Sequence, residues 1–119
     1  MRKLALAILA LPLAACDSGQ APPKPLTEAE SAMLAPSDPK LAELYAGSCK
    51  ACHTVKDSLA PLTGDRSVWD ARWAQGEDAL LAAAIQGKKG MPAGGQCFSC
   101  TPDNMKALIR FMAGRESEQ

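Results

Sequence analysis

A chain with one histidine has few ways to build a metal or redox centre, and this one sets that residue directly behind a cysteine pair, Cys49-Lys50-Ala51-Cys52-His53. Such a pair can be half of a four-ligand zinc site, a redox-active dithiol or, with histidine next in line, the attachment point of a c-type haem. The spacing has a chemical reason. At the end of a helix, two thiols can reach the two vinyl groups of one porphyrin while the adjacent imidazole turns beneath the iron. A chance placement is improbable with a single histidine in 119 residues. A zinc site would also need to recruit Cys97 and Cys100, so one covalently bound haem c is the first reading.

The composition fits a chain built around such a group. Only five residues are aromatic, Tyr45, Trp69, Trp73, Phe98 and Phe111, which is little material for a core of this size. No apolar run reaches the roughly 18 residues of a spanning helix. The start reads as a processing segment: Met1-Arg2-Lys3 is basic, Leu4 to Leu13 is apolar but short, and Leu13-Ala14-Ala15-Cys16 looks like the lipobox of a bacterial lipoprotein. That likeness implies a signal peptide over 1–15, diacylglyceryl attachment at Cys16 and anchoring to a membrane. An ordinary secretory signal with an incidental cysteine is the alternative, and either one exports the chain to a periplasm-facing site. Thirteen basic residues balance thirteen acids, and loss of Arg2 and Lys3 tips the mature chain slightly acidic. Nucleic acid is therefore not an expected partner.

Residues 16–37 read as a lipidated start and flexible tether, stiffened by Pro22, Pro23 and Pro25, with Thr27 and Glu30 as a capping box for a short helix within it. Residues 38–119 form the domain. Asp38-Pro39 opens a helix that carries Leu41, Leu44 and Tyr45 on one face and runs into Cys49. Ser67 and Asp70 open a second, which carries Trp69, Arg72 and Trp73 toward Gly76. Glu77 to Gln86 is a third, stopped by Gly87. Thr101-Pro102 starts the last, where Met105, Leu108, Ile109 and Met112 repeat at helical spacing before Gly114. No segment alternates with period two, so the class is all-α.

With His53 the only imidazole, the other face of the iron is open or takes a weaker donor such as methionine or lysine. Met1 leaves with the signal, Met33 lies by the tether, and Met105 and Met112 sit on an apolar helix face. Met91 stands apart in the loop Gly87-Lys88-Lys89-Gly90-Met91-Pro92-Ala93-Gly94-Gly95, which makes it the expected axial ligand. Cys97-Phe98-Ser99-Cys100 can be a disulfide clasp, a catalytic dithiol or part of a metal site. The clasp suits an exported chain whose glycine-rich ligand loop needs stiffening, whereas a thioredoxin-like dithiol calls for a βαβ setting.

Taken together, Cys49 to His53, Met91-Pro92 and Cys97-x-x-Cys100 resemble class I c-type cytochromes, specifically the cytochrome c5 family. The segment Ala60-Pro61-Leu62-Thr63-Gly64-Asp65 adds to the likeness, which spans Leu41 to Ala113. It implies a small class I cytochrome c fold, short helices wrapped around one covalently bound haem, with Leu41 and Tyr45 of the first helix meeting Leu108 and Phe111 of the last. It further implies haem propionates near Trp69 and Arg72. Lys50, Lys88 and Lys89 could ring the haem edge. The expected function is one-electron transfer with His53 and Met91 as iron ligands, a carrier and not an enzyme. Expected partners are a quinol-oxidising complex, a terminal oxidase or a periplasmic reductase. Asp17 after Cys16 resembles an inner-membrane retention signal. A haem enzyme or gas sensor with a displaceable distal ligand is the competing function.

Overall fold

The computed structural model describes Gly19 and residues 21–118; the expected signal peptide, Cys16 and Asp17 lie outside the described residues. The described residues hold six α-helices in order: α1 (Glu28–Ala32), α2 (Pro39–Gly47), α3 (Lys50–His53), α4 (Arg66–Trp73), α5 (Glu77–Gln86) and α6 (Pro102–Met112). Among the described residues the only β pairing is an isolated bridge between Lys88 and Met91. The fold is all-α, as the sequence pattern implies, and no described helix is long and apolar enough to cross a membrane.

Helices α1, α2, α4 and α6 each start where a side chain takes up one of the unpaired N–H groups. The Asp38 carboxylate accepts the Leu41 N–H at 2.8 Å, with Pro39 at the first turn. Thr101 and Asn104 cap one another at the start of α6. Two boundaries differ from the sequence expectation. The helix before the cysteine pair does not run into Cys49: it stops at Gly47, and the Ser48 hydroxyl turns back onto the Leu44 carbonyl at 2.6 Å. That side chain competes with the backbone for its own partners, so the chain bends and Cys49 heads a separate short helix. The second helix is capped by Asp65, not opened by Ser67, because the Asp65 carboxylate lies 3.1 Å from the Ser67 N–H.

The core is built around α6. On one side Leu108, Phe111 and Met112 pack with Tyr45, Cys49 and Trp69; on another Met105 and Ile109 pack with Ala84. Trp73 and Cys100 lie against both groups. The expected contact of α2 with α6 is present, with the Tyr45 ring edge-on to Phe111 at a centroid separation of 5.0 Å. Met105 and Met112 are core residues, as their helical spacing implies.

The flexible tether is a correction: its second half is part of the folded domain. Thr27 and Glu30 form the expected capping box of α1, and beyond it Ser31 and Pro36 are buried. Leu34 packs against the main core and lies over Gly64, where a Cβ would stand 2.4 Å from its Cδ1. The Glu28 carboxylate accepts the Lys56 N–H, and Ser37 donates to Glu116 at 2.8 and 2.9 Å. A sequence rich in Pro and Ala still offers one leucine and one serine of the right size to seat on the domain.

Helices α5 and α6 are clipped by Glu77, which takes both a close Arg110 Nε–H and the Arg110 Nη2–H at 2.9 Å, with Lys106 at 3.7 Å. Arg110 holds the Glu77 carboxyl below its ordinary range. A carboxylate depressed in the folded state adds stability above its unfolded pKa, lost as pH falls through the folded value. Glu77→Gln should therefore cost about 0.5–1 kcal/mol in urea unfolding at pH 7, and the gap from the parent should close in acid.

Candidate cofactor site

His53 is 7% exposed, and its Nδ1 lies 2.8 Å from the Pro61 carbonyl. A carbonyl only accepts, so Nδ1 carries the proton and the Nε2 lone pair is left free for a metal. Burial first, and the charge of Arg72 in addition, push the imidazole pKa down against the opposing pull of the Pro61 bond, which keeps the ring neutral. Trp69 stacks beside it, with ring centroids 6.0 Å apart and planes 28° apart. The segment after Ala60 does this holding residue by residue. Pro61 takes the imidazole N–H, Leu62 takes the Trp69 indole N–H at 2.9 Å, and the Thr63 N–H donates to the His53 carbonyl at 2.7 Å.

Cys49 and Cys52 are both free thiols, the first buried and the second exposed. Burial raises the Cys49 thiol pKa. The other pair behaves differently: Cys97 and Cys100 are joined in a disulfide with their Cα atoms 5.3 Å apart. That removes the partners a zinc site at Cys49 and Cys52 would have needed, and among the described residues no group of three or more His, Cys, Asp or Glu could hold a metal ion.

Met91 sits in a tight reversal. It exchanges two 3.0 Å backbone bonds with Lys88, which forces Lys89 into the left-handed region at φ 54°. Two glycines are shaped to it. A Cβ at Gly87 would stand 2.9 Å from the Ala93 nitrogen and 3.0 Å from the Met91 oxygen, and one at Gly95 would stand 3.0 Å from the Met91 Cε. The side chain is half-buried against the Ala84, Met105 and Ile109 group, which the Cys97–Cys100 disulfide also flanks. Gly87 has φ +84°, so Gly87→Ala should destabilise the protein by about 1–3 kcal/mol in denaturant titration and move Met91 from its seat.

Trp69 and Arg72 both donate to backbone carbonyls. The indole N–H goes to Leu62 at 2.9 Å, because the tight 61–63 segment brings that carbonyl within reach. One Arg72 Nη1–H is donated to the Val68 carbonyl at 2.9 Å, and the side chain lines an open cleft of about 210 Å³ with Lys56, Leu59, Pro61 and Val68. Lys88 and Lys89 are exposed and Lys50 is half-buried. Pro61 and Thr63 are positioning residues that residue-type reasoning missed. They act through backbone atoms, which every residue possesses, and only the family likeness of the segment pointed there.

Two free thiols, a buried imidazole protonated at Nδ1, and a thioether seated on glycine are donors of the kinds a covalent haem takes, and the residues fit that group. On a small all-α domain this layout is that of a class I c-type cytochrome. Residues 37–112 match the family described as cytochrome C oxidase, cbb3-type, subunit III. The chain is 38% identical over 74 residues to cytochrome c5 of Azotobacter vinelandii, covering 60% of this chain and 89% of that protein. To cytochrome c5 of Ectopseudomonas mendocina it is 36% identical over 74 residues, 60% of this chain and 85% of that protein. A solved structure described as an electron transfer complex of nitrite reductase with cytochrome c matches with a TM-score of 0.59 and 34% identity, over 66% of this chain and 96% of that one. The chain belongs to the class I c-type cytochromes, as a cytochrome c5-like member. Its cofactor is haem c, and its function lies in electron transfer.

Proposed function

We propose that the protein is a periplasm-facing one-electron carrier, its single haem held by thioethers from Cys49 and Cys52 and ligated by His53 and Met91. The observation that carries this reading is the Nδ1 bond of His53 to Pro61, which fixes the tautomer and leaves Nε2 as the donor. When bound, haem c supplies an iron that cycles between ferric and ferrous. The chain's part is to keep that change cheap. His53 is oriented by Pro61 and shielded by Trp69, while the short reversal at Lys88 and the two glycines hold Met91 in place, so neither ligand has to move far. A thioether donor from Met91 beside the His53 imidazole would favour the ferrous state and raise the potential. Arg72 and the exposed Lys88 and Lys89 place positive charge where an acidic redox partner could be steered.

The lipid anchor at Cys16 belongs to the same proposal. Because the chain is docked from Thr27 onward, the leash shortens to residues 16–26. Quinol-oxidising complexes, terminal oxidases and periplasmic reductases remain the candidate partners. The ferric near-infrared spectrum tests the ligation: a methionine-to-iron charge-transfer band is expected, and its absence together with fast binding of added ligands at neutral pH would favour a haem enzyme or sensor instead. Mass spectrometry of the membrane fraction should find Cys16 acylated.

A further inference from the structure

Ser31 lies within the stretch that reads as a tether, yet it has no exposed surface. Its hydroxyl donates to the Thr63 carbonyl at 2.9 Å, with the His53 carbonyl a longer second acceptor at 3.3 Å. Thr63 is itself fully buried, and it is held twice more: its N–H donates to the His53 carbonyl at 2.7 Å and its Oγ1 accepts the Tyr45 hydroxyl at 2.9 Å. Two residues earlier, Pro61 takes the imidazole N–H. The ring and the backbone of His53 are thus both referred to the short segment 61–63, and Ser31 fastens that segment from the outside.

A buried hydroxyl is costly unless it is bonded, and an alanine would fill nearly the same space without that cost. Packing alone therefore does not account for a serine here. We propose that Ser31 is a positioning residue for the axial imidazole. By holding the Thr63 carbonyl it fixes the 61–63 segment, and through the Pro61 acceptor it sets the plane of the His53 ring. The segment joining the domain to its anchor is by this route a structural part of the redox site.

This inference rests on the proposed ligation by His53, and exchange of the His53 Nδ1–H reads the His53 side alone. In the full-length holoprotein, Ser31→Ala should also change the pattern of haem-methyl paramagnetic shifts, which responds to the imidazole plane. Loss of roughly one hydrogen bond should speed exchange of the His53 Nδ1–H by on the order of five- to tenfold. Leu34→Ala is the control, since it loosens the same segment by removing packing over Gly64 and leaves the hydroxyl in place. It should lower the melting temperature with the shift pattern unchanged. Tyr45→Phe keeps the ring against Phe111 and cuts the network at Thr63, so it should move the shifts as Ser31→Ala does, to a smaller extent. A Ser31→Ala protein with altered stability and parental shifts and exchange overturns the proposal, as does Leu34→Ala producing the same spectral change. A parent lacking the methionine band would refute the Met91 ligation and leave this test intact.

Discussion

Met91→Ala is expected to yield a folded, haem-loaded protein that has lost the ferric methionine band, binds added imidazole or cyanide readily, and has a much lower reduction potential. The size follows from what axial ligands command. They set haem potentials over about 0.8 V, and removing a thioether that favours ferrous iron should cost on the order of 0.1–0.3 V of it. The remaining methionines cannot substitute. Met105 and Met112 are 5% and 2% exposed inside the core, and Met33 is 85% exposed at the end of α1. No second imidazole exists, since His53 is the only histidine. Cys49, Cys52 and the His53–Pro61 bond are untouched, so attachment should persist. Met105→Leu sharpens the comparison: a near volume-conserving core swap costs less than about 1.5 kcal/mol and should leave band and potential at their parental values. The spectrum and a potentiometric titration of the two variants check the prediction together, and a Met91→Ala protein that keeps its band would remove Met91 from the iron.

Why the proposed ligands stand out in the sequence and their supports do not comes down to which atoms carry the information. Cys49, Cys52, His53 and Met91 are proposed to act through side chains whose chemistry is theirs alone, and a single histidine or a methionine among glycines narrows the choice. The elements were legible for the same reason. Asp38-Pro39 and Thr101-Pro102 announce helix starts, and Gly87 announces a stop. Pro61, Leu62 and Thr63 hold His53 and Trp69 through carbonyls and an N–H, which no residue type signals. The end of α2 was misjudged because Ser48 sits inside a stretch of helical periodicity and breaks it by a bond to its own turn. Residues 27–37 were misjudged because composition describes a segment on its own. Docking there depends on Leu34 finding the bare surface of Gly64 and on Ser31 finding two carbonyls far along the chain.

The second large effect concerns folding itself. Cys49→Ser with Cys52→Ser removes both thioethers, and the chain made this way should show little fixed tertiary structure and no cooperative thermal transition. The helices give the reason. Among the described residues the longest, α6, has 11 residues and α5 has 10, while α1 and α3 have 5 and 4. Isolated helices shorter than about 12–15 residues are marginal in water, so all of them depend on tertiary contacts. Those contacts are few. The buried apolar set includes three aromatic rings, Tyr45, Trp69 and Phe111, and its two groups are joined by α6 and by flanking residues such as Trp73 and Cys100. Domains of this size that cannot fill a core from side chains alone need a staple, and the Cys97–Cys100 bond closes too short a loop to restrain the chain as a whole. A haem held by Cys49, Cys52 and His53 and by Met91 of the loop after α5 would join parts of the fold that the side chains leave weakly connected. Near-ultraviolet circular dichroism and calorimetry of the double variant, beside the parent holoprotein, measure this directly. A sharp, native-like transition without haem would mean that the side chains suffice.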